Sequence, residues 1–485
     1  PNGPGIRKCS SPRVYRWLNR DLFPGSMLRA SLAICSAEFI GTFLLVFVIG
    51  CNVLSENGVW GVLSTVCVLV ALVYIFAGTS GAHFNPAVTL SVAASGKLPP
   101  RQAAVYCCVQ LLGGFVGSWA CSMLFWKSVF FAPQTGYKGW QAGVAECIYT
   151  FVLCFVVLSS SCQRRRGHQF FGLAIGMVLA AGGYGAGAIS GGCFNPAVAI
   201  GLDIASAGLG FGWSLFYMGF QLAGAALASL LFRVVRPREF FAGTRRESEA
   251  FGAMLPMVVG ELFGTYIVIL TFALARVAGS PGWGFAVGAA VLSMSFSLCD
   301  VCGVHFNPAV TLAVAASCRG KCSAAQAFRF IAVQILAAFL AAGTALLLLP
   351  ATGEKNADQL FGSGHFGSAS ASLNEGLFTF LVCLTFLGTV VVEEPWKLTE
   401  FFGVASAASI IASSYALQKV SGGFLNPAAA MALSWVNPVG HTASTVWRGV
   451  VYSLMELIAG LLAAGCFALV SPDTQEQRPF GAGKV

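Results

Sequence analysis

Charged side chains are scarce in this chain of 485 residues. Asp, Glu, Lys and Arg together make up 10% of the sequence, whereas hydrophobic residues make up 56%. Soluble domains carry about a quarter of charged residues, so this composition excludes an ordinary soluble domain. It indicates an integral membrane protein built from helices, because a helix satisfies its own backbone hydrogen-bonding groups in lipid.

Signatures of catalysis and of nucleic-acid binding are also missing. The sequence shows no nucleotide-binding loop, no catalytic triad and no metal-binding cluster, and the pair Cys299-x-x-Cys302 has no second pair at metal spacing. The net charge of +9 is divided among short loops, which gives little support to a nucleic-acid partner. We therefore expect no enzyme activity, no cofactor, no metal ion and no nucleic acid.

Long apolar runs follow one another instead. A helix needs roughly 20 apolar residues to cross a bilayer, and twelve candidate spans occur, near 31–51, 59–78, 102–125, 142–161, 169–189, 213–232, 255–275, 283–300, 325–349, 372–392, 401–417 and 446–469.

Arginine clusters indicate which way these spans are oriented. They precede the first span, follow the fourth at 164–166 and follow the sixth at 233–246, which is one side if the spans alternate. The positive-inside rule makes that side cytoplasmic. We expect a multi-pass protein with both termini in the cytoplasm, and the sequence does not indicate which membrane.

The triplet Asn-Pro-Ala occurs four times, each time within a near-copy of one phrase. The Asn residues are 110, 112 and 119 residues apart, and such a period predicts a repeated structural unit. The triplets are Asn85-Pro86-Ala87, Asn195-Pro196-Ala197, Asn307-Pro308-Ala309 and Asn426-Pro427-Ala428.

Two further positions recur in step with the triplet. An intramembrane Glu, with Thr four residues later, lies 46 to 51 residues before each Asn, and a Gln or Glu lies 25 to 30 residues after it. The preceding residues are Glu38, Glu146, Glu261 and Glu375, and the following ones are Gln110, Gln221, Gln334 and Glu456. Each repeat therefore holds two spans, a short Asn-Pro-Ala segment and a third span.

Three spans is an odd number, so consecutive repeats enter the membrane from opposite sides. Two inverted repeats form a bundle of six spans with two re-entrant half-helices, and the chain contains two such bundles in an all-α membrane protein. The predicted segments are a basic N-terminal segment at 1–30, a first bundle at 31–233, a charged linker at 234–254, a second bundle at 255–470 and a C-terminal tail at 471–485.

The Asn-Pro-Ala segments are the candidate functional site. The apolar segment that starts at Asn85 has about 11 residues, too few to span, and it begins with a favoured N-cap residue followed by Pro. Opposed half-helices would bring two positive N-terminal ends together at the midplane, where they repel cations. We expect each Asn oxygen to accept a backbone hydrogen bond and each NH₂ to be free to face a pore.

The buried ionisable residues have two interpretations each. The four Glu residues either hold the non-helical backbone beside a half-helix or form a proton relay, and their fixed register favours the supporting role. His83 and His305, two residues before an Asn, either line the pore or fix the loop.

Together these residues resemble the aquaporin family, also called major intrinsic proteins, over nearly the whole chain and twice over. The resemblance implies passive permeation of water or small neutral solutes across the lipid bilayer, with one pore per bundle. It also implies fourfold assembly, which a homodimer of tandem chains would complete as a pseudo-tetramer.

The chain departs from the family's outer filter, where an Arg usually follows the second Asn-Pro-Ala of a bundle. The absence of this Arg predicts a wider constriction that admits glycerol, urea or ammonia, with Lys419 or Arg448 as candidate replacements at the second mouth. The family's filter positions can be transferred to this sequence by counting from the Asn residues without gaps. They fall at Thr65, Gly183, Gly192 and Val198 in the first bundle, and at Val287, Ser414, Gly423 and Ala429 in the second.

Three alternatives stay open. One is a solute-selective channel with little water flux, or a conducting bundle beside a degenerate one. The second is a secondary transporter, which also uses inverted repeats and broken helices. The third is a structural junction protein made of closed pores.

Overall fold

The fold is all-α over the residues that the computed structural model describes, which are 24–129, 131–162, 169–206, 212–240, 251–348, 367–392, 400–436 and 443–471. These ranges hold helices and no β-strand, which confirms the predicted fold class. The chain divides into two compact units, 1–245 and 246–485. Most of the predicted N-terminal segment and C-terminal tail, and linker positions 241–250, lie outside the described residues.

In its described residues the first unit holds six long α-helices, two short ones and a 3-10 turn at Pro237–Glu239. Its helices are α1 (Pro24–Leu54), α2 (Gly58–Phe76), α3 (Pro86–Ala94), α4 (Pro100–Phe125), α5 (Gly139–Ser161), α6 (Phe171–Ser190), α7 (Pro196–Ala205) and α8 (Ser214–Val235).

The second unit repeats this order. Its helices are α9 (Phe251–Val277), α10 (Trp283–Leu298), α11 (Pro308–Ala316), α12 (Ala324–Leu348), α13 (Ser368–Phe386, continued by a π-helical turn at Leu387–Val391), α14 (Phe402–Leu417), α15 (Pro427–Val436) and α16 (Ala443–Val470).

A helix lies at each of the twelve predicted spans. In the described part of the chain, ten of them are long and apolar enough to cross a membrane. The other two, α10 and α14, are apolar but have only 16 residues each. The helices at these two places are therefore slightly shorter than the apolar runs 283–300 and 401–417 that predicted them.

Each short helix packs against a long helix from the other half of its own unit. In the first unit, α3 contacts α8 and α7 contacts α4; in the second, α11 contacts α16 and α15 contacts α12. This reciprocal exchange is what an inverted repeat produces, and it brings the starts of the two short helices together.

Close approach of α1 and α4 depends on small residues. A Cβ built on Gly113 would lie 2.7 Å from the Phe39 carbonyl oxygen, and one on Gly117 would lie 2.5 Å from the Phe43 carbonyl oxygen. Small residues four apart let helix backbones meet in this way in membranes. The α4 helix also carries Gln110, so this contact positions a polar side chain of the site.

Candidate pore site

Each Asn-Pro-Ala triplet starts a short helix. Asn85 has an extended backbone, its side-chain oxygen accepts a hydrogen bond from the Ala87 N–H at 2.9 Å, and Pro86 takes the first helical position. The same cap is made by Asn195, Asn307 and Asn426 to the N–H groups of Ala197, Ala309 and Ala428, at 2.9, 2.8 and 3.1 Å.

The Asn amide groups also tie the two short helices of a unit together. Asn85 Nδ2 donates to the Phe194 carbonyl oxygen, and Asn195 Nδ2 donates to the Phe84 carbonyl oxygen, both at 2.9 Å. In the second unit, Asn307 donates to Leu425 at 2.7 Å and Asn426 donates to Phe306 at 2.9 Å. The sequence led us to expect that both N–H groups of each Asn amide would be free to face a pore. This is wrong for one of them, because it donates to a carbonyl oxygen before the opposite short helix.

This crossed pairing requires a strained backbone. The residue before each Asn has a φ of +50° to +55°, in the left-handed region that side chains disfavour, at Phe84, Phe194, Phe306 and Leu425. Such conformations cost about 1–3 kcal/mol each and persist where the surroundings hold them. The left-handed turn was not predicted from the sequence, since Phe and Leu are not residues that signal it.

The carboxylates of the four intramembrane Glu residues hold these turns. Glu38 accepts the backbone N–H groups of His83 and Phe84 at 3.1 and 2.8 Å, and it accepts the Gln110 amide at 2.8 Å. Glu38 is fully buried.

The second and third repeats follow the same scheme. Glu146 binds the N–H groups of Cys193 and Phe194, and Glu261 binds those of His305 and Phe306. Gln221 and Gln334 donate to these carboxylates at 2.8 and 3.1 Å. In these three repeats the Glu carboxylate accepts hydrogen bonds from backbone N–H groups of the loop before the Asn. This geometry is the one expected if the Glu supports the loop.

The fourth repeat differs in one group. Glu375 accepts the N–H groups of Gly423, Phe424 and Leu425 at 2.9 to 3.0 Å and the Ser421 hydroxyl at 2.5 Å. The position that holds a Gln amide in the other repeats holds the Glu456 carboxyl, which is fully buried. Neither Glu456 oxygen has a hydrogen-bond partner of good geometry.

His83 and His305 each contact the short helix that follows them and also lie at a cavity. His83 Nδ1 lies 3.1 Å from Thr89 Oγ1 of α3, and His305 Nδ1 lies 3.2 Å from Thr311 Oγ1 of α11. Each ring also lines a cavity beside the paired Asn residues of its unit.

Two cavities follow one another in the first unit. A cavity of about 30 Å³ is lined by His83, Asn85 and Asn195, and it shares Val198 with a larger cavity of about 420 Å³. The larger one is lined by all four residues carried over from the family's filter, namely Thr65, Gly183, Gly192 and Val198.

The second unit also has a cavity at its paired Asn residues. Its cavity of about 50 Å³ runs from His305, Asn307 and Asn426 to Val287, Ser414 and Gly423. Ala429, the remaining position carried over from the family's filter, is not among the residues that line this cavity. Neither Lys419 nor Arg448, the candidate replacement cations, is among the described residues that line it.

Trp283 packs beside Gly423, which lines this cavity. A Cβ on Gly423 would lie 3.1 Å from the Trp283 ring, and the Arg276 guanidinium lies 4.6 Å from the centre of that ring. The equivalent position of the first unit, also 24 residues before its first Asn, is Gly61, which lines the large cavity. The pair Gly61 and Trp283 was readable in the aligned repeats, but the sequence analysis missed it.

Comparison with protein families gives a match over most of the chain. A family model described as major intrinsic protein matches residues 27–185, 170–280 and 275–403.

Several proteins are similar to parts of the chain. Aquaporin NIP1-1 of Zea mays is 33% identical over 215 residues, which is 41% of this chain and 73% of the maize protein. Aquaporin AqpM of Methanothermobacter marburgensis is 31% identical over 235 residues, 41% of this chain and 95% of that protein. A probable aquaporin NIP-type of Nicotiana alata is 34% identical over 175 residues, 34% of this chain, and the match spans only 64% of the tobacco protein's length.

Among solved structures, the aquaglyceroporin from Plasmodium falciparum is 20% identical, with a TM-score of 0.39. The match covers 44% of this chain and 100% of that one.

Proposed function

This chain belongs to the major intrinsic protein family, and we propose that each of its two units forms a passive channel for water and small uncharged solutes. It is a multi-pass membrane protein, and its family is one of channels rather than enzymes. The observation that carries the proposal is the crossed pairing of Asn85 and Asn195 beside a cavity, repeated by Asn307 and Asn426.

The midplane chemistry follows from this pairing. Each amide uses one N–H across the junction, so its second N–H is available to a solute oxygen in the cavity. The two short helices direct positive N-terminal ends at the same point, which disfavours a cation there. The cavity walls are otherwise largely apolar, with Val88, Leu153 and Val157 in the first unit. A neutral molecule with a lone pair is therefore the expected cargo.

The first unit is the one that we propose passes solutes larger than water. Its mouth is the cavity of about 420 Å³, which is lined by Gly183, Gly192 and Val198 and, among the described residues, by no arginine. Thr65 supplies a hydroxyl at this level, although it donates to the Gly61 carbonyl at 2.9 Å. Glycerol and urea are solutes of suitable size and polarity.

The second unit we propose to be water-selective or weakly conducting. Trp283 packs beside Gly423, and the buried Arg276 guanidinium lies 4.6 Å from the centre of that ring. A cation at the mouth strengthens the barrier to protons and other cations. This arrangement supports one wide and one narrow channel in a single chain.

Orientation and assembly remain part of the proposal. The arginine distribution supports cytoplasmic termini. Family resemblance supports a homodimer of tandem chains that forms a pseudo-tetramer with four pores.

The proposal is tested by osmotic shock of proteoliposomes followed by stopped-flow light scattering, first with an impermeant sugar and then with glycerol. We expect fast shrinkage with the sugar, and shrinkage followed by re-swelling with glycerol. Val198→Arg should abolish most of the re-swelling because it places a long cation in the wide mouth. Ala429→Arg is the matched variant and should change re-swelling little, since the second unit is already narrow.

The outcomes separate the candidate functions. Water flux no faster than that of empty vesicles would overturn the channel proposal. Glycerol uptake that requires an ion gradient and saturates at low concentration would indicate a secondary transporter. Equal loss of re-swelling in both Arg variants would contradict the division into a wide and a narrow channel.

A further inference from the structure

The fourfold repeat provides an internal comparison around the buried carboxylates. In three repeats, a Gln amide donates to the second carboxylate oxygen of the supporting Glu: Gln110 to Glu38, Gln221 to Glu146 and Gln334 to Glu261. In the fourth repeat, α16 presents Glu456 to Glu375 instead. An amide donor has thus been replaced by a group that, when ionised, can only accept.

Glu456 lies in a buried site, and no cation is among the groups of the described residues that act on it. Its side chain is 0% exposed, and the polar groups that face it are the Glu375 carboxyl and the backbone N–H of Asn426. Glu375 Oε1 accepts three hydrogen bonds, whereas Oε2 accepts only that of the Leu425 N–H. Oε2 therefore has a lone pair available on the side where the other repeats receive the Gln amide.

The neighbouring elements supply few charges to this pair. Cys383 of α13 and Tyr452 of α16 are the other titratable groups that interact with Glu456. Arg276 of α9 interacts with Glu375, and Arg448 of α16 interacts with Tyr452. The helices α11 and α15, which also pack on α16, contain no titratable side chain. Arg276 offsets at most one negative charge, so a second charge on Glu456 would be uncompensated.

Two carboxylates that share a buried site cannot both be ionised at ordinary pH. We propose that Glu375 and Glu456 form a proton-binding site, in which the Glu456 carboxyl keeps its proton and donates it to Glu375 Oε2. Glu375 stays ionised and continues to accept the loop N–H groups. The carboxylic O–H takes the place of the Gln amide N–H of the other repeats. This inference does not depend on which solute the second unit passes.

The proton controls the loop that precedes Asn426. If Glu456 loses its proton to solvent, two negative charges face each other, and repulsion moves Glu375 away from the N–H groups of Phe424 and Leu425. Leu425 provides the carbonyl that receives the Asn307 amide, so the helix junction of the second unit loosens. The first unit has Gln110 and Gln221 at these positions and is not affected.

The sign of the pH dependence follows from proton counting. An exposed glutamate in the unfolded chain releases its proton near pH of about 4.3. The proposed site requires that the folded unit retain this proton, in which case the folded state binds one proton more above this pH and its stability falls as pH rises. Stability should stop falling only when the folded site also loses its proton.

Infrared spectroscopy of the purified full chain tests the site directly. The carbonyl stretch of a protonated carboxylic acid is separate from that of a carboxylate. We expect wild-type protein at neutral pH to show this band and Glu456→Gln to lack it. The substitution reproduces the side chain of the other three repeats, so the fold is expected to persist. No such band in wild type, or an equal band in Glu456→Gln, would overturn the proposal.

Wild-type protein alone gives a second readout. The band should disappear as the pH is raised and return when it is lowered, and the melting temperature of wild type should fall more between neutral and alkaline pH than that of Glu456→Gln. Equal melting shifts in the two proteins would contradict the shared proton. Neither measurement involves transport, so failure here leaves the channel proposal untouched, and failure of the flux test leaves this site untouched.

Discussion

At the scale of single residues, each Asn of the repeated triplet makes two kinds of contact. The oxygen of Asn85 caps its own helix, and the nitrogen holds the turn that precedes the opposite helix. One side chain therefore fixes the start of one helix and the strained turn before the other. The left-handed backbone conformations of Phe84 and Phe194 are stabilised by these amides together with the Glu carboxylates.

Replacing Asn85 by Ala removes both contacts. We expect the free energy of unfolding to fall by about 1–3 kcal/mol, since an N-cap alone contributes about 1 kcal/mol and a buried carbonyl is also left without its donor. The measurement is denaturant unfolding in detergent micelles. Asn374→Ala is the control, because Asn374 is only half-buried and donates to the Ser370 carbonyl one turn away in its own helix. Equal losses in the two variants would contradict the role assigned to Asn85.

At the scale of elements, long helices must approach closely enough to bring α3 and α7 together. Glycines on α4 serve both neighbours: Gly117 meets the backbone of α1, and Gly114 meets the Ala197 carbonyl of α7, with a built Cβ only 2.4 Å away. The short helix is thus packed directly against a backbone rather than against side chains. A change on the lipid-crossing helix is transmitted to the pore helix.

Gly117→Ala should destabilise the first unit. Its Cβ would lie 2.5 Å from the Phe43 carbonyl oxygen, so the helices must separate, at a cost of about 1–3 kcal/mol. Gly219→Ala is the matched control on α8, where a Cβ would meet nothing within 4 Å. Because Ala favours helices over Gly, that control should be neutral or stabilising by up to about 1 kcal/mol. The measurement is the thermal unfolding temperature of the two variants. A larger loss of stability in Gly219→Ala than in Gly117→Ala would contradict this packing.

At the scale of the whole molecule, two units of one design differ at their mouths. Ungapped counting puts Gly61 and Trp283 at the same position, yet Gly61 lines a cavity of about 420 Å³, whereas the Trp283 ring lies beside Gly423. Around the paired Asn residues the first unit has a cavity of about 30 Å³, and the cavity of about 50 Å³ in the second unit extends from its paired Asn residues to Val287, Ser414 and Gly423.

Exchanging these two residues should exchange the selectivities. We expect Gly61→Trp to lower glycerol re-swelling of proteoliposomes at least severalfold while water flux through the second unit continues. Trp283→Gly should raise glycerol flux, because it removes the ring beside Gly423. Stopped-flow light scattering on both variants, with Trp435→Gly as the control at an exposed tryptophan, measures the effect. No change in glycerol flux in either variant would show that the mouth does not set selectivity.

The sequence by itself determined the membrane class, the repeat and the register of the key residues. Charged residues are so few that only a lipid environment suits the chain. The spacing of the four triplets predicted two pairs of inverted repeats. The helical starts at Pro86 and Pro196 follow from local capping chemistry, which needs no distant partner.

Only the tertiary structure decided what those residues contact. The crossed Asn amides join positions 109 to 120 apart in the chain, and left-handed Phe residues carry no local signal for such a turn. The different cavity sizes and the buried contact of Glu375 with Glu456 arise from side chains of separate helices. Local sequence preferences do not predict such contacts, because burial and distance between side chains are set by how the helices pack.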